Sequence, residues 1–152
     1  MLSILILKNL RINQNSHLIA TKINNKWIWR DKKYILDSIQ YCREFLQSEN
    51  IEKGDRVAYK GANSVEWLAW NVACNSLGGI WVPMYHNQSD DYCNHIVNDC
   101  SPKLFITDQN PKLETNMKII HNDIEPKQYE ESDAIQNDVS TLIYTSGTTG
   151  KP

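Results

Sequence analysis

Between Tyr34 and Thr107 the spacing of apolar residues switches repeatedly from helical to extended and back, which restricts the fold more than any other feature of the chain. Tyr34, Ile35, Ile39, Cys42, Phe45 and Leu46 recur at helical spacing, predicting a helix that ends near Asn50. The turn-forming Glu52-Lys53-Gly54-Asp55 follows, then Arg56–Tyr59 as a strand. Asn63 with Glu66 three residues on predicts a capped helix start. That helix turns Val65, Leu68, Ala69, Val72 and Ser76 inward, with Trp67 and Trp70 widening its apolar surface. Gly78-Gly79 stops it, and Ile80–Val82 reads as a buried strand ended by Pro83. Ser89 opens a further helix to about Asn98, with Tyr92, Ile96 and Val97 inward, and Lys103–Thr107 is again a strand. Helices joined to strands by short turns predict an α/β layered domain of parallel strands with crossover helices.

The flanks are different. His17–Thr21 and Lys26–Arg30 are β-prone runs around Asn24-Asn25, which predicts a hairpin. Residues 108–137 are polar and acidic, a connection around one short strand, Met117–Ile120. Val139–Tyr144 reads as a last strand leading directly into a Ser/Thr/Gly loop. The apolar run Leu2–Leu7 is too short for a membrane span and precedes its first positive charge, unlike a signal peptide; it reads as a short buried strand or packed terminal segment.

Composition removes several functions. A net charge of −2 with scattered Lys and Arg lacks the basic footprint of a nucleic-acid binder. The four cysteines read as reduced thiols of a cytosolic protein. Cys93, His95 and Cys100 lack a C-x-x-C pair and a fourth ligand, so no metal site is expected. His17, His86, His95 and His121 fall in no recognisable triad. Glu66 reads as a helix-start acid, and the tryptophans and Tyr85 as core.

The terminal loop carries the chemistry. Thr145, Ser146, Thr148 and Thr149 offer hydroxyls, Gly147 and Gly150 allow close backbone approach, and Lys151 adds a positive charge. Together they suit a polyphosphate. A Walker A loop is excluded, because Thr145 stands where its first Gly belongs and Pro152 where its Ser or Thr belongs.

Tyr144-Thr145-Ser146-Gly147-Thr148-Thr149-Gly150-Lys151-Pro152 resembles the AMP-binding signature of the adenylate-forming superfamily, Y-T-S-G-T-T-G-x-P-K-G, up to its proline. Lys151 falls on the variable position, and the family's invariant lysine would follow Pro152. Lys53-Gly54-Asp55-Arg56-Val57-Ala58 resembles the family's "GDRVAI" strand. Asn63-Ser64-Val65-Glu66-Trp67 and Val82-Pro83-Met84-Tyr85 are most similar to long-chain fatty acyl-CoA synthetases. The resemblance runs in the family's order over residues 15–152.

It implies that 1–152 is the amino-terminal part of the large domain of the acyl-CoA synthetase-like fold, incomplete and cut within the ATP signature. Thr145, Ser146, Gly147, Thr148, Thr149, Gly150 and Lys151 would then bind the ATP phosphates, and no catalytic residue would lie in this chain. ATP and Mg2+ are the implied cofactors, CoA the co-substrate and a long-chain fatty acid the substrate. The implied setting is cytoplasmic, with the parent peripheral to an intracellular membrane, although no anchor is legible. A downstream chain could complement this piece, which alone is expected to be inactive and poorly soluble. Alternatives are a medium-chain, aryl or amino-acid adenylating parent, or a non-catalytic fragment.

Overall fold

A computed structural model of the protein describes residues 6, 8–9, 19–23, 25–115, 117–128, 130 and 139–145. Strands β1 (Ile19–Ile23) and β2 (Lys26–Arg30) form the expected hairpin, antiparallel with Ile23 opposite Lys26. Asn25 takes a positive φ of 62°, which Asn tolerates in tight turns. Helix α1 (Lys32–Ser48) begins one residue later, capped by Asp31, whose carboxylate accepts from the Tyr34 amide at 2.7 Å.

The alternating segment then gives β3 (Arg56–Lys60), α2 (Val65–Ser76), β4 (Ile80–Met84), α3 (Asp90–Cys100) and β5 (Leu104–Thr107). Strand β6 (Lys118–His121) follows the connection at 108–117. The four-stranded sheet has the order β4-β3-β5-β6, and every pair is parallel.

Two-residue strand periodicity divides the core between the faces. Val57, Tyr59, Trp81, Leu104 and Ile106 meet buried residues of α1 and α2, including Ile35, Ile39, Leu46, Ala69 and Trp70. On the other face Ala58, Val82, Met84 and Phe105 meet Cys93, Ile96, Val97 and Cys100 of α3. The result is three layers, helices–sheet–helix, the architecture that the spacing predicts. Arg56 joins two of the elements: its guanidinium donates to the Cys100 and Ser101 carbonyls at 2.8 and 2.9 Å, satisfying the end of α3.

Several boundaries differ from expectation for identifiable reasons. Ser64 rather than Asn63 caps α2, its hydroxyl accepting from the Trp67 amide at 3.1 Å. Ala73 and Cys74 join the core as well, and Leu68 is half-buried. Helix α3 runs on to Cys100; Cys93 and Cys100 are inward and Tyr92 is half-buried. Helix α1 also buries Asp37, Ser38 and Gln40, because the polar segment after β6 lies across it. There the Lys127 amide donates to the Asp37 carbonyl at 3.2 Å, and the Lys127 amine pairs with Glu44 at 2.8 Å.

Pro83 does not end β4, which continues to Met84, but it does limit what can pair beside it. The Trp81 amide donates to the Ser140 carbonyl and the Leu142 amide to the Trp81 carbonyl, both at 2.9 Å. The next bond in that parallel ladder needs an N–H at residue 83, and proline has none. The expected strand Val139–Tyr144 is thus a single bridge, Trp81 with Thr141. Of the amino-terminal run only Ile6 is described; it is helical and packs against the first core cluster.

Candidate functional site: a crevice at the strand ends

Strands β3 and β4 are parallel neighbours, yet their following helices leave for opposite faces of the sheet. Such a divergence opens a crevice outside the carboxyl ends of the two strands, the usual ligand position in open α/β sheets. Here the crevice is a cleft of about 600 Å³. Gly61, Ala62 and Asn63 after β3 form one wall with Trp67, and Tyr85, His86 and Asn87 after β4 form the other.

Residues 139–145 run alongside β4 in the same direction and arrive at that rim. Leu142 and Tyr144 turn inward onto the second core cluster, while Ile143, 72% exposed, turns into the cleft with Tyr144 at its edge. The Tyr144 hydroxyl donates to the Asp99 carboxylate at 2.5 Å. Burial, and then that donation to a carboxylate, push the phenol pKa well up, so the hydrogen is held on Tyr144. Asp99 sits at the last turn of α3, where a helix dipole disfavours an acid. Its contact with Tyr144 supplies the partner that this position lacks. The signature's first residue is therefore fixed to α3, and Thr145 follows it, exposed. Ser146, Gly147, Thr148, Thr149, Gly150 and Lys151 lie outside the described residues.

A second cleft of about 590 Å³ lies toward β5 and β6. Its walls include Glu66, Asp108 and Asp123, three acids that disfavour a polyanion. Between the clefts, Asp108 approaches His86 at 3.8 Å, and the Gln109 side-chain amide donates to the His86 carbonyl at 3.0 Å. Beneath the acidic cleft Asn122 is clasped from both sides. Trp70 donates to its side-chain oxygen, and its amide nitrogen donates to the Tyr59 hydroxyl, each at 2.7 Å. Burial pushes the Tyr59 phenol pKa well up, so it too remains neutral. The first cleft, on the side where the Ser/Thr/Gly run begins, has no acid in its lining, whereas the second is lined by three acids and Lys22.

Three expectations about single residues change. Tyr85, Trp27 and Trp29 are 77%, 64% and 57% exposed rather than core. Tyr85 lies past the end of β4 on the cleft rim, and the two tryptophans lie on a hairpin outside the four-stranded sheet. Trp70 and Trp81 are fully buried as expected, and Trp67 half-buried between core and cleft. All four cysteines are free and buried, and burial pushes each thiol pKa up. Among the described residues no group of three or more His, Cys, Asp or Glu is arranged to hold a metal, and no helix is long and apolar enough to cross a membrane. The contact between Asp99 and Tyr144 was not legible; the ill-placed acid at the end of α3 was the available signal.

The AMP-binding enzyme family matches residues 35–152. Among similar proteins, long chain acyl-CoA synthetase 5 of Arabidopsis thaliana is 24% identical over 84% of this chain and 24% of its own length. The long-chain-fatty-acid–CoA ligase ACSBG1 of Rattus norvegicus is 29% identical over 79% of this chain and 21% of its own. The chain thus spans about a quarter of the length of such relatives. In solved structures, the fatty acyl-adenylate ligase of L. pneumophila, in complex with acyl adenylate and pyrophosphate, superposes with a TM-score of 0.78 at 20% identity, covering 97% of this chain and 28% of that one. VinN in complex with 3-methylaspartate superposes with a TM-score of 0.81 at 16% identity, covering 100% and 45%. At these identities the likeness is one of fold: these neighbours share the α/β arrangement of parallel strands described above. The match over residues 35–152, more than half of the chain, makes this chain a member of the AMP-binding, adenylate-forming enzyme family.

Proposed function

We propose that residues 1–152 are the amino-terminal portion of the adenylating domain of a long-chain fatty acid–CoA ligase. The observation that carries this reading is the Y-T-S-G-T-T-G-x-P stretch beginning at Tyr144, on a segment whose last described residues border the crevice. The long-chain synthetases and ligases among its relatives support the substrate class.

The reaction has two halves. A fatty carboxylate attacks the α-phosphorus of ATP, giving acyl-AMP and releasing pyrophosphate; the CoA thiol then attacks the acyl carbon and displaces AMP. In this reading the work of Thr145, Ser146, Gly147, Thr148, Thr149, Gly150 and Lys151 is to hold the β- and γ-phosphates. Hydroxyl and backbone N–H donors would meet the charge that grows on pyrophosphate as it leaves, and Lys151 would add a positive charge nearby. Tyr144 acts one step back, joining the base of this loop to α3 through Asp99.

Magnesium, when bound, neutralises phosphate charge. The loop's hydroxyls and amides are donors suited to phosphate rather than the carboxylate oxygens that Mg2+ favours. This chain therefore contributes to phosphate binding, and no step is assigned to the metal. The catalytic groups are assigned to the part of the relatives' length that this chain does not span. The proposed setting is the cytoplasm, with CoA, ATP and fatty acid as small-molecule partners.

The test is fatty-acid-dependent ATP–pyrophosphate exchange by protein carrying the reading frame on past Pro152. Exchange supports the reading. A protein that exchanges only with aryl or amino acids keeps the adenylation chemistry and refutes the long-chain substrate. Residues 1–152 alone are expected to give no exchange.

A further inference from the structure

We propose that Asp99, at the last turn of α3, is a positioning residue for ATP binding: through Tyr144 it sets the direction in which the Ser/Thr/Gly loop leaves the sheet. This role rests on the phosphate-binding reading of that loop. It adds a residue 45 positions before Tyr144, outside the signature. Backbone bonding to β4 runs out before the loop begins. Ser140 and Leu142 are tied to Trp81, but Pro83 has no N–H to offer the Leu142 carbonyl. Among the described residues no backbone bond to β4 follows Leu142.

Where the ladder stops, a side chain takes over. The Tyr144 ring packs on the second core cluster, and its hydroxyl donates to Asp99 at 2.5 Å. The Cys100 sulfur also lies within hydrogen-bond reach of that hydroxyl. A bond from O–H to a carboxylate is short and charge-assisted, so it holds the ring in one orientation and fixes where the backbone passes into Thr145. The seat itself is braced from behind. Arg56 of β3, an interior strand, donates to the Cys100 and Ser101 carbonyls, and Ser101 closes α3 with a positive φ of 44°. Sheet, α3, Asp99, Tyr144 and loop therefore form one continuous chain of contacts.

For α3 alone Asp99 is a poor choice, since an acid in the last turn opposes the helix dipole. Removing it should therefore not weaken the fold, because relief of that conflict offsets the lost bond. Function should respond differently. Hydroxyl and amide donors meet phosphate oxygens only when correctly placed, and a displacement of about 1 Å costs up to about 100-fold in rate. Stability and ATP use thus separate a positioning role from a merely structural one.

The test is ATP–pyrophosphate exchange by protein continued past Pro152, with the carboxylic acid that supports exchange, in Asp99→Ala, Asp99→Asn and Tyr144→Phe. Asp99→Ala and Tyr144→Phe should each raise the KM for ATP by about tenfold and leave the KM for the acid unchanged. The two together should be no worse than either alone, because both remove the same bond. Asp99→Asn, whose amide oxygen still accepts from the phenol, should recover part of the loss. Thermal unfolding of the Asp99 variants should not shift downward. An unchanged KM for ATP in both single variants overturns the proposal; if Thr148→Ala with Thr149→Ala still lowers exchange, the phosphate reading survives it. Equal losses toward ATP and acid, with a lowered melt, overturn it by making the contact structural. No exchange by the unaltered protein refutes the phosphate reading and this role with it.

Discussion

At the scale of single residues, the strongest dependencies fall on polar groups held inside the core. Among the described residues Asn122 alone accepts from the Trp70 indole, and it also donates to the Tyr59 hydroxyl, both on fully buried residues. Asn122→Ala would leave the Trp70 indole unpaired and take one donor from the Tyr59 hydroxyl, at about 1–3 kcal/mol, a loss to be read from urea denaturation. Asp55 gives a pH-dependent case. Burial alone would raise its pKa, but the Lys103 amine at 2.8 Å and the Glu52 amide at 2.9 Å outweigh that and leave it lowered. A carboxyl lowered in the folded state stabilises above its unfolded pKa of about 4 and loses that contribution as pH falls through the folded value. Asp55→Asn should therefore cost about 0.5–1 kcal/mol at pH 7, and the gap to the unaltered chain should narrow to nothing in acid. An equal gap at every pH would show that the charge is not involved. Little of this was legible in the sequence: Asn122 and Asp55 sit in stretches that read as connection and turn, and their partners lie 52 and 48 residues away.

At the scale of elements, the sequence was read most accurately where periodicity and caps agreed. The helices and the order of strands follow from apolar spacing, because each element has one face or both faces committed to a core. Errors gathered at the ends. Asn63 and Ser64 are both competent caps, and only the backbone decides between them, placing Ser64 in the extended conformation with φ of −151°. Ser64→Ala should destabilise by about 1 kcal/mol, and Asn63→Ala by much less; the reverse order in thermal or urea melts would return the cap to Asn63. Gly79 tests the joint between α2 and β4. A Cβ there would lie 2.8 Å from the Cys74 sulfur and 3.1 Å from the Cys74 carbonyl oxygen, so Gly79→Ala should cost about 1–3 kcal/mol through overpacking. The single bridge at Thr141 was hidden for a different reason. Val139–Tyr144 has the composition of a strand, but its ladder depends on an N–H that Pro83, far off in sequence, does not have.

At the scale of the whole molecule, the three layers place the crevice and the start of the signature loop on one edge of the sheet. Apolar groups are exposed there, Tyr85 and Ile143 at the cleft with Val139 exposed nearby in sequence, and also on the far edge strand, where Ile119 of β6 is exposed. Edge strands and contiguous apolar surface promote association, so the 1–152 chain should gain mass with concentration in light scattering. A monomer at all concentrations with one sharp melt would argue that this surface is complete as it stands. The family was legible because a loop of small and hydroxylated residues directly after an apolar run is specific, whereas the acyl substrate was not, since no motif in the sequence marks an acyl pocket. The central claim is that the loop opening at Tyr144 holds the phosphates of ATP during carboxylate adenylation. Its most direct measurement is ATP–pyrophosphate exchange with a long-chain fatty acid, by protein continued past Pro152, with and without Thr148→Ala and Thr149→Ala. Loss of hydrogen-bond donors to the leaving pyrophosphate should lower exchange by about 100-fold or more. Exchange unchanged in the double variant, or absent from the unaltered protein, would contradict the account.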